Sequence, residues 1–125
     1  MKLRFIYTPV TDLKAARAFY VDVLGASLLW EEGASTCGVQ LPGDHVPVML
    51  DEDPDGGVAG PFYVVPSVHR FIERNPSITF LRGPERISPG WYASFADPDG
   101  NLIRIMDDTE SKERVATERR EADPA

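Results

Sequence analysis

The chain is short of the residues that most often carry covalent and metal chemistry. Among 125 residues there is one cysteine and there are two histidines. A lone Cys37 closes no intramolecular disulfide, so nothing requires an oxidising compartment, and it reads as a buried structural thiol. His45 and His69 stand apart, whereas a metal site needs three or four convergent ligands. Each reads as an ordinary polar turn or surface residue. Positive charge is also scarce: 13 Lys and Arg face 20 Asp and Glu, a formal net charge of −7. Nucleic-acid binding needs a basic face, so that class of partner is excluded. No run of about 18 apolar residues is present to span a membrane, and the N-terminus lacks the apolar stretch of a signal peptide. The expectation is one soluble, cytoplasmic domain. No phosphate-cradling glycine loop, nucleophile elbow or paired-cysteine motif occurs, so no catalytic residue is nominated. Asp53-Pro54-Asp55-Gly56-Gly57 lacks the later acidic ligands of a calcium loop and reads as a turn.

What is present is ordered alternation. Leu3, Phe5 and Tyr7 alternate with Arg4, Ile6 and Thr8, which predicts a half-buried strand over 2–9. Thr11 or Asp12 is placed to cap a helix. Leu13, Ala16, Phe19, Tyr20, Val23 and Leu24 then recur at helical spacing, and Gly25 stops the run. Strands are predicted at 27–31, 35–41 and 46–51. The stretch 51–60 has linker composition. The pattern then restarts. A strand covers 60–65, and Ser67 caps a short helix with Val68, Phe71 and Ile72 on one face, ended at Asn75-Pro76. A strand covers 77–82, a Gly- and Pro-rich loop 83–89, and a strand 90–96. The turn Asp97-Pro98-Asp99-Gly100-Asn101 leads into a last strand over 101–107.

Overlaying the halves indicates a repeat. Val10-Thr11-Asp12-Leu13 falls on Val65-Pro66-Ser67-Val68, and 46–51 falls on 102–107. The fold expected is α+β: two tandem β-α-β-β-β modules, 1–52 and 60–108 with a linker over 53–59, making one cupped mixed sheet. Residues 109–125 carry nine charges and only Val115 as a large apolar side chain. They read as a frayed helix or disordered tail; a partner-binding helix would need an apolar stripe.

Val10-Thr11-Asp12-Leu13, followed by Ala16, Phe19-Tyr20 and Leu24-Gly25, resembles the first-helix signature of the vicinal oxygen chelate superfamily. That group includes glyoxalase I, bleomycin-resistance proteins and extradiol dioxygenases. Phe95-Ala96-Asp97-Pro98-Asp99-Gly100-Asn101-Leu102-Ile103 is similar to its closing hairpin. The resemblance spans roughly 3–107 and implies a homodimer. It also implies a divalent metal on four positions, usually His, Gln or Glu. Those positions fall here on Phe5, Val48, Gly60 and Arg104. None is a metal ligand at neutral pH, and a guanidinium has no lone pair to offer. No metal and no other cofactor is expected.

The same alternation places Phe5, Tyr7, Val48, Leu50, Phe62 and Val64 in the cup, with Trp30 and Trp91 at its mouth. Arg104 shares a face with Leu102 and Met106 and points inward. It is either a ligand anchor or a structural group paired with a carboxylate or stacked on a ring. Three functions follow. The first is a metal-free small-molecule-binding protein similar to the bleomycin-resistance branch, with Phe5, Tyr7, Trp30, Val48, Leu50, Phe62, Trp91 and Arg104 as ligand-binding residues. The second is a divalent-metal-dependent lyase, isomerase or dioxygenase. The third is a non-catalytic interaction protein with a filled pocket.

Overall fold

Each half of the chain builds the same unit, because each has the same order of alternating strands around one capped helix. A computed structural model describes residues 1–53 and 57–110. The elements run β1 (Lys2–Val10), α1 (Leu13–Ala18), β2 (Ser27–Glu32), β3 (Thr36–Gln40), β4 (Val48–Glu52), β5 (Gly60–Val64), α2 (Val68–Arg74), β6 (Phe80–Arg86), β7 (Trp91–Ala96) and β8 (Leu102–Met106). This is the expected α+β class: mixed sheet and two short helices. The tail from 111 onward lies outside the described residues.

The first compact unit is Leu3–Phe62. Its strands lie in the order β2-β3-β4-β1. β1 runs parallel to β4, with Tyr7 opposite Met49. β3 runs antiparallel to β2 and β4, with Trp30 opposite Gly38 and Gly38 opposite Met49. Asp12 caps α1 by accepting from the Ala15 amide. After Ala18 the helix widens into a π turn over Phe19–Val23, closed by the Leu24 amide donating to the Phe19 carbonyl. That extra residue per turn rotates the helical face. Leu13, Ala16, Tyr20 and Val21 reach the core with Cys37, Val39 and Leu50. Phe19, Val23 and Leu24, expected on the same face from their spacing, are left exposed.

The second unit comprises Met1–Lys2 and the chain from Tyr63 on. Its strands lie in the order β5-β8-β7-β6, with β5 entering it at Tyr63. Ser67 caps α2 by accepting from the Arg70 amide. Val68, Phe71 and Ile72 pack on Val65, Ala93, Phe95 and Ile105. The rings of Phe71, Phe80 and Phe95 form a cluster with centroids 5.4–6.4 Å apart. Burying one such side chain contributes about 1.5–3 kcal/mol. The stretch 83–86, expected as loop, continues β6 instead. The pairing with β7 shifts register twice between Phe80 and Glu85. A bulged strand can hold Gly83, whose φ is +91°, and Pro84, which lacks an amide donor.

The two units share a helix pin. Glu52 Oε1, at the end of β4, accepts from the first amide of α1, Leu13, at 2.8 Å. Asp107 Oδ2, just past β8, accepts from the first amide of α2, Val68, at 2.8 Å. In both units the carboxylate lies 39 residues after the amide it binds. A negative charge at the helix start also meets the positive end of the helix dipole. The pins set the repeat to a single step of 55 residues, Leu13 to Val68 and Glu52 to Asp107. The overlay of 46–51 on 102–107 is therefore one residue out. The counterpart of Arg104 is Met49, not Val48.

Candidate functional site

In each unit the helix covers one side of the strands, and the other side is the candidate surface. Cross-strand partners share a side, so the register assigns every residue. In the first unit Phe5, Tyr7, Trp30, Gly38, Met49 and Asp51 are on the helix-free side. The ring of Phe5 stands 4.9 Å from that of Phe62 and 6.0 Å from that of Trp30. Phe5 and Phe62 are buried, while Trp30 keeps part of its surface. The indole covers Gly38 so closely that a Cβ there would meet its ring carbons at 2.3 Å. Glycine at 38 is what lets the indole lie against the strand.

Beside these rings is a hydroxyl–carboxylate group. Tyr7 Oη donates to Asp51 Oδ2 at 2.6 Å, and Thr36 Oγ1 donates to Asp51 Oδ1. Asp51, Tyr7 and Thr36 are all half-buried. Asp51 was not singled out by sequence, because it ends a strand in an acidic stretch that reads as linker. The signal was available in its alternation with Met49.

Three expected site residues lie elsewhere. Val48 and Leu50 face α1: Leu50 is fully buried in the helix-side core, and Val48 packs against it. Taking Val48 as the counterpart of Arg104 moved both to the wrong side, since a slip of one residue exchanges the faces of a strand. Trp91 packs on the α2 side with Ala93 and Phe95. Its ring meets His69 of α2 edge-on at 4.6 Å, and Arg86 stands 5.8 Å from its centroid. The structure thus brings together Phe5, Tyr7, Trp30 and Phe62.

Arg104 lies in the second unit, on the side away from α2. Its neighbours Ile103 and Ile105 pack on the helix, and Ser94 is its cross-strand partner. Arg104 is 6% exposed and Ser94 2%. A guanidinium so far from water is suited to a carboxylate, a phosphate or a planar π system.

The helix side of the first unit holds an open groove of about 270 Å³, with Lys14, Arg17 and Glu31 at its rim and Cys37 among its lining. Arg17 and Glu31 pair across it. Burial pushes the Cys37 thiol above its usual range; Arg17 lowers it and Glu31 raises it further. A protonated thiol is a poor nucleophile.

The family model for the glyoxalase/bleomycin resistance protein/dioxygenase superfamily matches residues 3–105. The chain belongs to this superfamily. Its fold is similar to that of a superfamily member from Vibrio splendidus 12B01, with 24% identity over 86% of this chain and 100% of that one, and a TM-score of 0.64. It is also similar to a methylmalonyl-CoA epimerase from Mycobacterium tuberculosis, with 20% identity, 92% and 91% coverage and a TM-score of 0.63. A structure described as an NAD-dependent benzaldehyde dehydrogenase from Legionella pneumophila gives 17% identity, 82% and 96% coverage and 0.65. No curated protein matches. Such different names on one fold show why the fold does not carry the function.

The metal that the superfamily implies can be tested on the donors present. With the repeat set by the helix pins, the four positions are Phe5, Met49, Gly60 and Arg104. They offer one thioether and no carboxylate or imidazole, which does not fit a divalent Lewis-acid site. Among the described residues no three His, Cys, Asp or Glu side chains are grouped to hold a metal. Among them, too, no helix is long and apolar enough to cross a membrane.

Proposed function

We propose that this member of the superfamily binds a small organic molecule without a metal, in the cytoplasm and as a homodimer. One observation carries the reading: the helix-free side of the first unit is an aromatic surface in which Trp30 lies over Gly38 against Phe5, next to Phe62. Binding sites combine such apolar walls with a few fixed polar groups. Here the polar groups are Tyr7 and Asp51. The donor set supports the metal-free part. Exposed Phe19, Val23, Leu24, Leu28 and Leu29 support pairing with a second copy.

A thermal-shift screen with aromatic amines, acids and alcohols tests the proposal. A ligand at 100 times its Kd stabilises the folded state by about 2.7 kcal/mol, which raises Tm by several degrees. Trp30→Ala should abolish the rise. A panel without a hit, or a shift that survives Trp30→Ala, would overturn the aromatic site. About one equivalent of Ni, Zn, Fe or Mn by elemental analysis, removable only with a chelator, would overturn the metal-free reading.

A further inference from the structure

The aromatic side of the first unit has a charge preference written into its rows. The row Trp30–Gly38–Met49–Tyr7 lies two residues along the strands from Thr36 and Asp51. That step is about 6–7 Å. An extended tether of two to three carbons between a ring and a charged nitrogen spans a comparable distance. Asp51 is half-buried and held at both oxygens, by the hydroxyls of Tyr7 and Thr36. Two neutral donors fix its orientation and leave its charge uncompensated. A carboxylate has about four acceptor positions, so room remains for further donors.

No positive side chain faces this surface from β1 to β4 among the described residues. Lys2 and Arg4 alternate to the other side of β1, and Lys14 and Arg17 belong to α1. Arg17 is already paired with Glu31 on the helix side. An aromatic wall next to a fixed, unneutralised carboxylate is the chemistry that recognises an ammonium group. Ring faces attract the cation, and the carboxylate accepts its hydrogen bonds or balances its charge.

We propose that the ligand of this surface is a cationic amine on an aromatic or apolar body, with Asp51 as its counter-ion. The inference rests on the aromatic surface being the binding site. It specifies what that reading leaves open.

The test is calorimetric titration of the full chain, at low ionic strength, with three probes of matched shape. These are phenethyltrimethylammonium, phenethyl alcohol and 3-phenylpropionate. The ammonium should bind at least about tenfold more tightly than the alcohol, and the propionate most weakly. Asp51→Asn should remove most of that advantage, with the ammonium and the alcohol compared on the same variant. Equal affinities for the three probes, or a preference for the propionate, would overturn the charge preference. Such binding, if lost in Trp30→Ala, would leave the aromatic site standing. Binding of none of them would overturn both. The wild-type ranking decides alone if Asp51→Asn fails to fold.

Discussion

Asp107 shows how much one side chain can organise. It is 1% exposed, and its carboxylate accepts from the amides of Val68, Trp91 and Thr109 and from the Thr109 hydroxyl. It ties the start of α2, the start of β7 and the end of β8 to one point. Gly90 is required beside it, since a Cβ there would come within 2.2 Å of Oδ1. Removing the acceptor leaves three amides without it, and stranding a buried donor such as that of Val68 costs about 1–3 kcal/mol. Asp107→Ala should therefore destabilise by about 3 kcal/mol or more in urea melts. Glu52→Ala, which removes one bond from an exposed carboxylate, should cost about 1 kcal/mol. The sequence marked Asp107 only as the end of a strand and Glu52 only as part of a stretch of linker composition. Acceptance by a distant amide has no local spacing to reveal it. Arg104 was legible for the opposite reason: alternation with Ile103 and Ile105 suffices to place it.

At the scale of elements, the turn at 97–101 was legible because it is built locally. Asp97 accepts from the amides of Asp99 and Asn101 and from the Asn101 side chain. The Asn101 side chain, then its backbone amide, hold the Asp97 carboxyl below the usual carboxylate range. A lowered folded value means that the charged form is stabilised by folding. That contribution is fully present above about pH 4, where the unfolded group titrates, and is lost as pH falls through the folded value. Asp97→Ala should lower Tm at pH 7, and the gap from wild type should shrink as pH falls below about 4 in thermal melts. α1 and β6 were read less well. Periodicity assumes a constant residue count per turn, and the π turn at Phe19–Val23 breaks it. Gly83 and Pro84 are loop formers by composition, yet a bulged strand accommodates both.

For the whole molecule, charge is the dominant long-range term. With a net charge of −7 the chain repels itself, and salt screens that repulsion. Salt also weakens the exposed pairs Arg17–Glu31, Arg82–Glu85 and Arg86–Glu110, but such pairs contribute about 0–1 kcal/mol each. Raising NaCl from about 10 to 300 mM should therefore raise Tm in scanning calorimetry. The architecture was visible in sequence because it is written twice. What remained hidden was the exact step between the copies, and with it the side on which Val48 and Leu50 lie. A one-residue error is invisible in composition and decisive in a strand. The two tryptophans have a practical corollary. Each unit carries one indole, Trp30 away from its helix and Trp91 against its helix beside His69. The protein is thus supplied with two separable optical labels. An emission change that survives Trp91→Phe reports on the aromatic surface, and one that survives Trp30→Phe reports on the surroundings of α2.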